Sequence, residues 1–175
     1  MDRIRRMQMP ALRMAITALL AGAVVATPAL LGAQEAPPLR RPSGERPEPN
    51  ASDVQSPDAI IQAVYEVVSG EAGEARNWER FRSLFLPEAR LIPARKDSTG
   101  KRGYWWLTVD EFIKGAKVPI EKKPFYEREV DAVTERYGDL AHVFSTYEAL
   151  RSPDGEPFER GVNSFQLWYD GDRWW

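Results

Sequence analysis

The chain has 175 residues, a formal net charge of −2, one histidine and no cysteine. Without thiols there are no disulfides and no cysteine chemistry, and a single histidine without cysteine does not make a usual zinc site. Any folded part must therefore be held by its apolar core.

The chain opens on a positive stretch, Arg3, Arg5, Arg6 and Arg13, followed by Met14 to Ala33, a run of 20 residues without a charge. This pattern predicts a secretory signal peptide over residues 1–33, ending at the small pair Gly32 and Ala33. An uncleaved anchor is the rival reading, since 20 residues just span a bilayer. Pro28 and the small-residue end favour cleavage. Either reading exports the remainder, to the periplasm or beyond, and after cleavage no stable membrane span is expected. Loss of residues 1–33 removes four arginines and Asp2 and leaves a net charge of −5. That acidity argues against nucleic acid or an anionic membrane as partner.

Residues 34–56 hold Pro37, Pro38, Pro42, Pro47 and Pro49 with few large apolar side chains. Such a stretch buries too little surface to offset chain entropy, so a disordered, extended linker is expected. One domain, 57–175, follows. Ser56 as N-cap and Pro57 at the first helical position start a helix whose apolar stripe is Ile61, Val64, Tyr65 and Val68. Trp78, Phe81, Leu84 and Phe85 mark a second helix that Pro87 stops. Ala89 to Arg95 reads as a short strand and 96–103 as a polar loop. Its Ser98-Thr99-Gly100-Lys101 hints at a phosphate loop, but that motif needs glycine at 95 and Ser or Thr at 102, where Arg95 and Arg102 stand. Trp105 and Trp106 read as core or pocket wall. Thr108 with Glu111 forms a capping box for a third helix carrying Phe112, Ile113 and Ala116. Strands follow at 125–137, 140–150 and 160–169, and a last one begins at Arg173 and breaks off at Trp175. The order is helix, helix, short strand, helix, then antiparallel strands: an α+β domain.

Asp154-Gly155 is the pair a two-residue hairpin turn prefers. A turn there sets His142 opposite Leu167, Phe144 opposite Phe165, Thr146 opposite Asn163 and Glu148 opposite Gly161. Paired residues share a face. Val143, Ser145 and Tyr147 then lie on the other face with Val162, and Ala141 near Trp168. The outer patch of Tyr147, Val162 and Trp168 predicts a homodimer. Trp174 is expected opposite Leu167. The short last strand reads as a C-terminal truncation that leaves the backbone of 162–166 an open edge.

The element order, with Leu84-Phe85-x-x-x-Ala89, Ala141-His142-Val143, Tyr147-Glu148 and Tyr169-Asp170-Gly171-Asp172-Arg173-Trp174, resembles the nuclear transport factor 2-like superfamily, which includes SnoaL-like cyclases and ketosteroid isomerases. The resemblance implies a cone-shaped, curved antiparallel sheet wrapped around three N-terminal helices, with an internal pocket. It also places the His142 and Phe165 face inside. Tyr65 falls where the isomerases carry their carbonyl-polarising tyrosine. Their two carboxylates fall at about Pro93 and Phe165, neither of which can move a proton, so that mechanism is not expected.

The resulting pocket set is Tyr65, His142, Phe144, Thr146, Glu148 and Asn163, with His142 the one candidate acid or base. A lone histidine on a strand is also an ordinary structural residue, and Tyr65 on an apolar stripe an ordinary core tyrosine. Three functions follow as expectations. The leading one is an exported domain with a pocket for a small apolar or aromatic ligand, without cofactor or metal. The others are a cofactor-free lyase or isomerase using His142, and a homodimeric structural or interaction domain.

Overall fold

The computed structural model describes Leu39, residues 41–42 and residues 44–175. The expected signal peptide and the first part of the linker lie outside the described residues. The rest of the linker is not a free tether. The Arg46 guanidinium donates to the carbonyls of Leu86 (3.3 Å) and Pro87 (3.0 Å). A 3-10 turn at Ala51–Asp53 buries Asp53, and Val54 enters the core. The folded unit thus begins before the boundary expected at Pro57, because a buried carboxylate needs a partner. Arg80 supplies it, gripping Asp53 through Nε and Nη2 at 2.7 and 2.9 Å. Arg80 holds the Asp53 carboxyl below its ordinary value.

Helix α1 spans Pro57–Val68; the Ser56 side chain accepts from the Ala59 N–H at 3.1 Å. Its buried stripe is Ile60, Ile61, Ala63, Tyr65, Val67 and Val68. Helix α2, Trp78–Ser83, is capped by the Asn77 side chain. Four short strands follow: β1 (Arg90–Leu91), β2 (Ala94–Lys96), β3 (Arg102–Tyr104) and β4 (Leu107–Thr108). β1 pairs with β4 and β2 with β3, both antiparallel. The expected loop over 96–103 is therefore the tip of a ribbon. Helix α3, Val109–Lys122, starts on the expected capping box of Thr108 and Glu111. The chain ends in a three-stranded antiparallel meander, β5 (Tyr126–Tyr137), β6 (Leu140–Leu150) and β7 (Glu159–Trp168). The class is mixed α+β, with three helices and antiparallel sheets, none closed into a barrel among the described residues.

Two apolar clusters hold this together. In one, α1 lies on the sheet: Ile60, Ile61 and Tyr65 meet Ala141, Val143, Leu167 and Trp174. In the other, Val67 and Val68 meet Trp78, Phe81, Val109 and Ile113. Trp105 and Trp106 belong to neither; they are 54% and 62% exposed, so neither is core.

The β6–β7 register corrects the sequence expectation. His142 pairs with Gln166, Phe144 with Ser164, Ser145 with Asn163 and Tyr147 with Gly161. This is one residue away from the pairing expected from an Asp154-Gly155 turn. The cause is the turn. Gly155 donates to the Ser152 carbonyl at 3.0 Å, so Ser152-Pro153-Asp154-Gly155 is itself a four-residue turn with Pro second and Gly fourth. The connection runs over 151–158, and Pro153 could not have donated to a ladder in any case. A one-residue slip exchanges the two faces of a strand. Ala141, Val143, Ser145 and Tyr147 therefore face the helices, while His142, Phe144, Thr146 and Glu148 face away. On β7 the expected inward residues, Asn163, Phe165 and Leu167, do face inward. Trp174 is buried as expected but bridges Tyr169, not Leu167, and the Trp168 and Trp175 backbones exchange hydrogen bonds.

The burial of Trp174, only 3% exposed, makes a prediction. Trp174→Ala should lower unfolding free energy by about 3–5 kcal/mol, as large core truncations do. Trp106→Ala should stay within about 0.5 kcal/mol of the parent. Urea denaturation followed by circular dichroism checks both.

Candidate functional site

A tyrosine inside a helix–sheet interface must find partners for its hydroxyl. Tyr65 is fully buried, and its Oη lies 2.8 Å from Ser145 Oγ and accepts from Asn163 Nδ2 at 3.2 Å. Ser145 Oγ in turn donates to Glu129 Oε2. A serine hydroxyl has one proton to give, so Tyr65 is the donor to Ser145. The chain of donation runs Asn163 to Tyr65 to Ser145 to Glu129. Burial pushes the Tyr65 phenol above its ordinary value, against the opposing effect of its two hydrogen bonds, so it stays neutral.

A bulge in β5 brings the carboxylates to this face. Glu129 pairs with Tyr147 but Asp131 pairs with Thr146, so Val130 is the extra residue. Before it, Glu127 and Glu129 point inward; after it, Ala132 does. Glu127 and Glu159 flank Ala149 on one row of the sheet, each paired with it. Burial first, and the Glu159 charge second, push the Glu127 carboxyl up from 4.5 to about 7. Tyr147 is raised by burial and then by the charges of Glu127 and Glu159. Its ring lies over Gly161, where an added Cβ would fall 2.6 Å from the phenol oxygen, so glycine lets the ring sit there without shifting.

Beside this polar half is an apolar cavity of about 90 Å³. Its walls include Ile61 and Val64 of α1, Phe85, Ala89, Phe165 of β7 and Trp175. Phe165 joins the two halves: its ring meets Tyr65 edge-on at 6.3 Å.

Of the six residues expected at the pocket, the structure brings together Tyr65 and Asn163 alone. His142, on the opposite face, sits with Nε2 2.9 Å from Ser164 Oγ and Nδ1 4.0 Å from Glu135. Glu148 lies between Arg128 (3.0 Å) and Arg160 (2.7 Å) on that same face. The Arg128 hydrogen bond, then that of Arg160, hold its carboxyl below the ordinary value. Phe144 and Thr146 share this outer surface with them. The set of His142, Glu148 and Tyr65 is therefore not assembled. The residues missed were Ser145, Glu127, Glu129 and Tyr147. The signal for the two glutamates was present, since they alternate on a strand whose partner carries a hydroxyl; the bulge that aims them left none.

No family model matches this chain, and neither a curated protein nor a solved structure is significantly similar to it.

Glu127 generates a prediction with a definite sign. Below about pH 4.5 the group is protonated in both states and contributes nothing. Between 4.5 and about 7 the unfolded chain gives up its proton while the folded one keeps it, so stability falls as pH rises. Above 7 the penalty is constant, at up to about 3 kcal/mol. Glu127→Gln should remove this slope. Unfolding free energies of the two proteins at pH 5 and pH 8 test it: parallel curves would mean that Glu127 titrates normally.

Proposed function

We propose that this chain is a nuclear transport factor 2-like domain, its sheet curved around the helices as a cone, that binds a small apolar or aromatic molecule. The observation that carries the binding reading is the cavity between α1 and β7, whose walls are almost wholly apolar; its wall residue Phe165 meets the ring of Tyr65, which the Ser145 and Asn163 hydrogen bonds hold in place. Ligand sites are typically apolar hollows with a few fixed polar groups. The resemblance contributes the fold alone. Its assignment of the His142 side of β6 to the inside fails, so no isomerase role is carried over, and His142 is too far from the cavity face to serve as its acid or base. The export expected from residues 1–33 belongs to the same proposal.

Cavity size limits the ligand. An apolar cavity of roughly 150 Å³ takes up benzene. At about 90 Å³ this one admits a ring only if Phe85, Phe165 or Trp175 turns aside. Trp168 and Trp175 at the wall make binding visible by fluorescence. Benzene or indole should quench or shift the tryptophan emission in a saturable way. Ala89→Phe, which fills the cavity, should raise Kd at least about tenfold. Mass spectrometry of the purified protein should find a small co-purifying molecule. Unsaturable, Ala89-independent quenching would leave the domain without this function.

A second copy of the chain is the proposed partner. The expected patch changes with the register: Tyr147 leaves it, Val162 stays, and Val133, Leu140 and Phe144 join it, each about half exposed or more. Cross-strand pairing sets Val133 beside Phe144 in the middle of the outer face. Sedimentation should give a dimer at micromolar concentration, and Phe144→Glu should give a monomer with unchanged helix and strand content. A monomeric parent protein rules this interface out.

A further inference from the structure

The ribbon of β1 to β4 carries a surface that neither the cavity nor the sheet explains. Its two pairings share one register: Arg90 opposite Thr108, Leu91 opposite Leu107, Ala94 opposite Tyr104, Arg95 opposite Gly103 and Lys96 opposite Arg102. The Trp105 N–H donates to the Pro93 carbonyl at 3.0 Å and carries the register across the interval. Side chains therefore alternate between two sides. One side turns to the body of the protein: Leu91 packs on the second core cluster, and Arg95 lies 3.5 Å from Glu159 of β7. The other side carries Ile92, Tyr104 and Trp106 in its middle, 49%, 70% and 62% exposed, with Lys96 and Arg102 at the tip.

Charge is concentrated here. Between residues 90 and 108 stand Arg90, Arg95, Lys96, Lys101 and Arg102 against one acid, Asp97. Asp97 is occupied inside the turn: it accepts from the Thr99 N–H at 2.8 Å, the Thr99 hydroxyl at 2.6 Å and the Lys101 N–H at 3.0 Å. Lys96, Lys101 and Arg102 form no ion pair among the described residues. Lys96 and Arg102 are direct cross-strand partners, and like charges in that position are destabilising. No ion pair among the described residues offsets that cost; an anionic partner would.

We propose that this outward side docks on an anionic lipid surface, with Tyr104, Trp106 and Ile92 in the headgroup region and Lys96, Lys101 and Arg102 on lipid phosphates. The chemistry fits both halves. Tryptophan and tyrosine favour the membrane–water interface, where an apolar ring and a polar handle are both satisfied. Basic residues near an anionic leaflet add attraction that salt weakens. A two-stranded ribbon presents a projecting edge rather than a groove, which suits insertion into a soft surface better than capture of a folded partner. The overall acidity that argued against a membrane averages over the chain and hides this basic segment. Peripheral docking needs no spanning helix, and no described helix is long and apolar enough to cross a membrane.

The test uses the full 175-residue chain with vesicles of phosphatidylcholine, with and without phosphatidylglycerol. The parent protein should co-float with the phosphatidylglycerol vesicles, shift its tryptophan emission to the blue, and release at high salt. Joint replacement Tyr104→Ser and Trp106→Ser should weaken binding about tenfold. Joint replacement Lys96→Glu, Lys101→Glu and Arg102→Glu should abolish the preference for phosphatidylglycerol. Both variants should keep the parent melting temperature, since every changed side chain is exposed. Residues 1–33, with four arginines and an uncharged run of 20 residues, are common to all three proteins, so binding is compared at a lipid concentration where the parent is half bound and the ribbon is read from the difference. Equal vesicle binding by the parent and both variants would overturn the proposal. So would binding to DNA or to a soluble protein through this ribbon with none to vesicles.

Discussion

The hydroxyl of Tyr65 cannot be buried without partners, and the way it finds them fixes the sheet. An unsatisfied buried hydroxyl costs about 1–3 kcal/mol. Its two partners, Ser145 and Asn163, are a cross-strand pair of β6 and β7. One atom on α1 thus reads the register of two strands at once. Sliding β7 by one residue would set Val162 or Ser164 opposite Ser145 and take Asn163 off the inner face. It would also replace Gly161 under the Tyr147 ring, where a side chain would force that ring to move. The polar contact and the steric one select the same register, which is how a meander with a long connection avoids slipping.

The same constraint divides the inner face. Where α1 covers the sheet, β6 and β7 offer Ala141, Val143 and Leu167, and the core is apolar. Toward Ala149 the C-terminal end of α1 reaches β5, where Ser69 Oγ accepts from the Glu127 N–H at 2.9 Å, and the bulge at Val130 turns Glu127 and Glu129 inward. Without that extra residue, the inward positions of β5 would continue in step from Ala132 and carry Val130 and Arg128 instead. The carboxylates are thus separated from the apolar cavity by Tyr65 and Phe165. The cavity itself holds no group able to move a proton, whereas the acidic half holds one, Glu127, that titrates near neutrality. The apolar cavity and the carboxyl whose pKa burial raises thus involve different residues of one inner face.

What the sequence disclosed follows the range of the forces involved. Helix starts rest on local chemistry, and Ser56 with Pro57 and Thr108 with Glu111 were both legible. Tyr65 was legible as an inward residue from its helical stripe, whereas Asn163 was placed inward only by the resemblance, which set the His142 and Phe165 face inside. The β6 face was not legible. Ser152-Pro153-Asp154-Gly155 contains the signature of two different turns, and only one of them agrees with the pairing that Tyr65 supports through Ser145, 80 positions along the chain from it. Trp105 and Trp106 misled for a related reason. Burial is the usual fate of paired tryptophans, but the register of a ribbon puts adjacent residues on opposite sides, and neither side at that point has a core to meet.

The open edge of β7 connects these observations. Among the described residues, Trp168 pairs with Trp175 at one end of the strand and Glu159 meets Arg95 at the other. Between them no described backbone group bonds to the outer edge. Phe165 and Gln166, which line the cavity, lie in this interval. A paired neighbour would hold the backbone on both sides; here only β6 holds it. An unpaired edge is ordinarily a hazard for strand-to-strand association. Here two of its residues, Phe165 and Gln166, also line the apolar cavity described above, so a partner on this edge would pack next to the pocket wall.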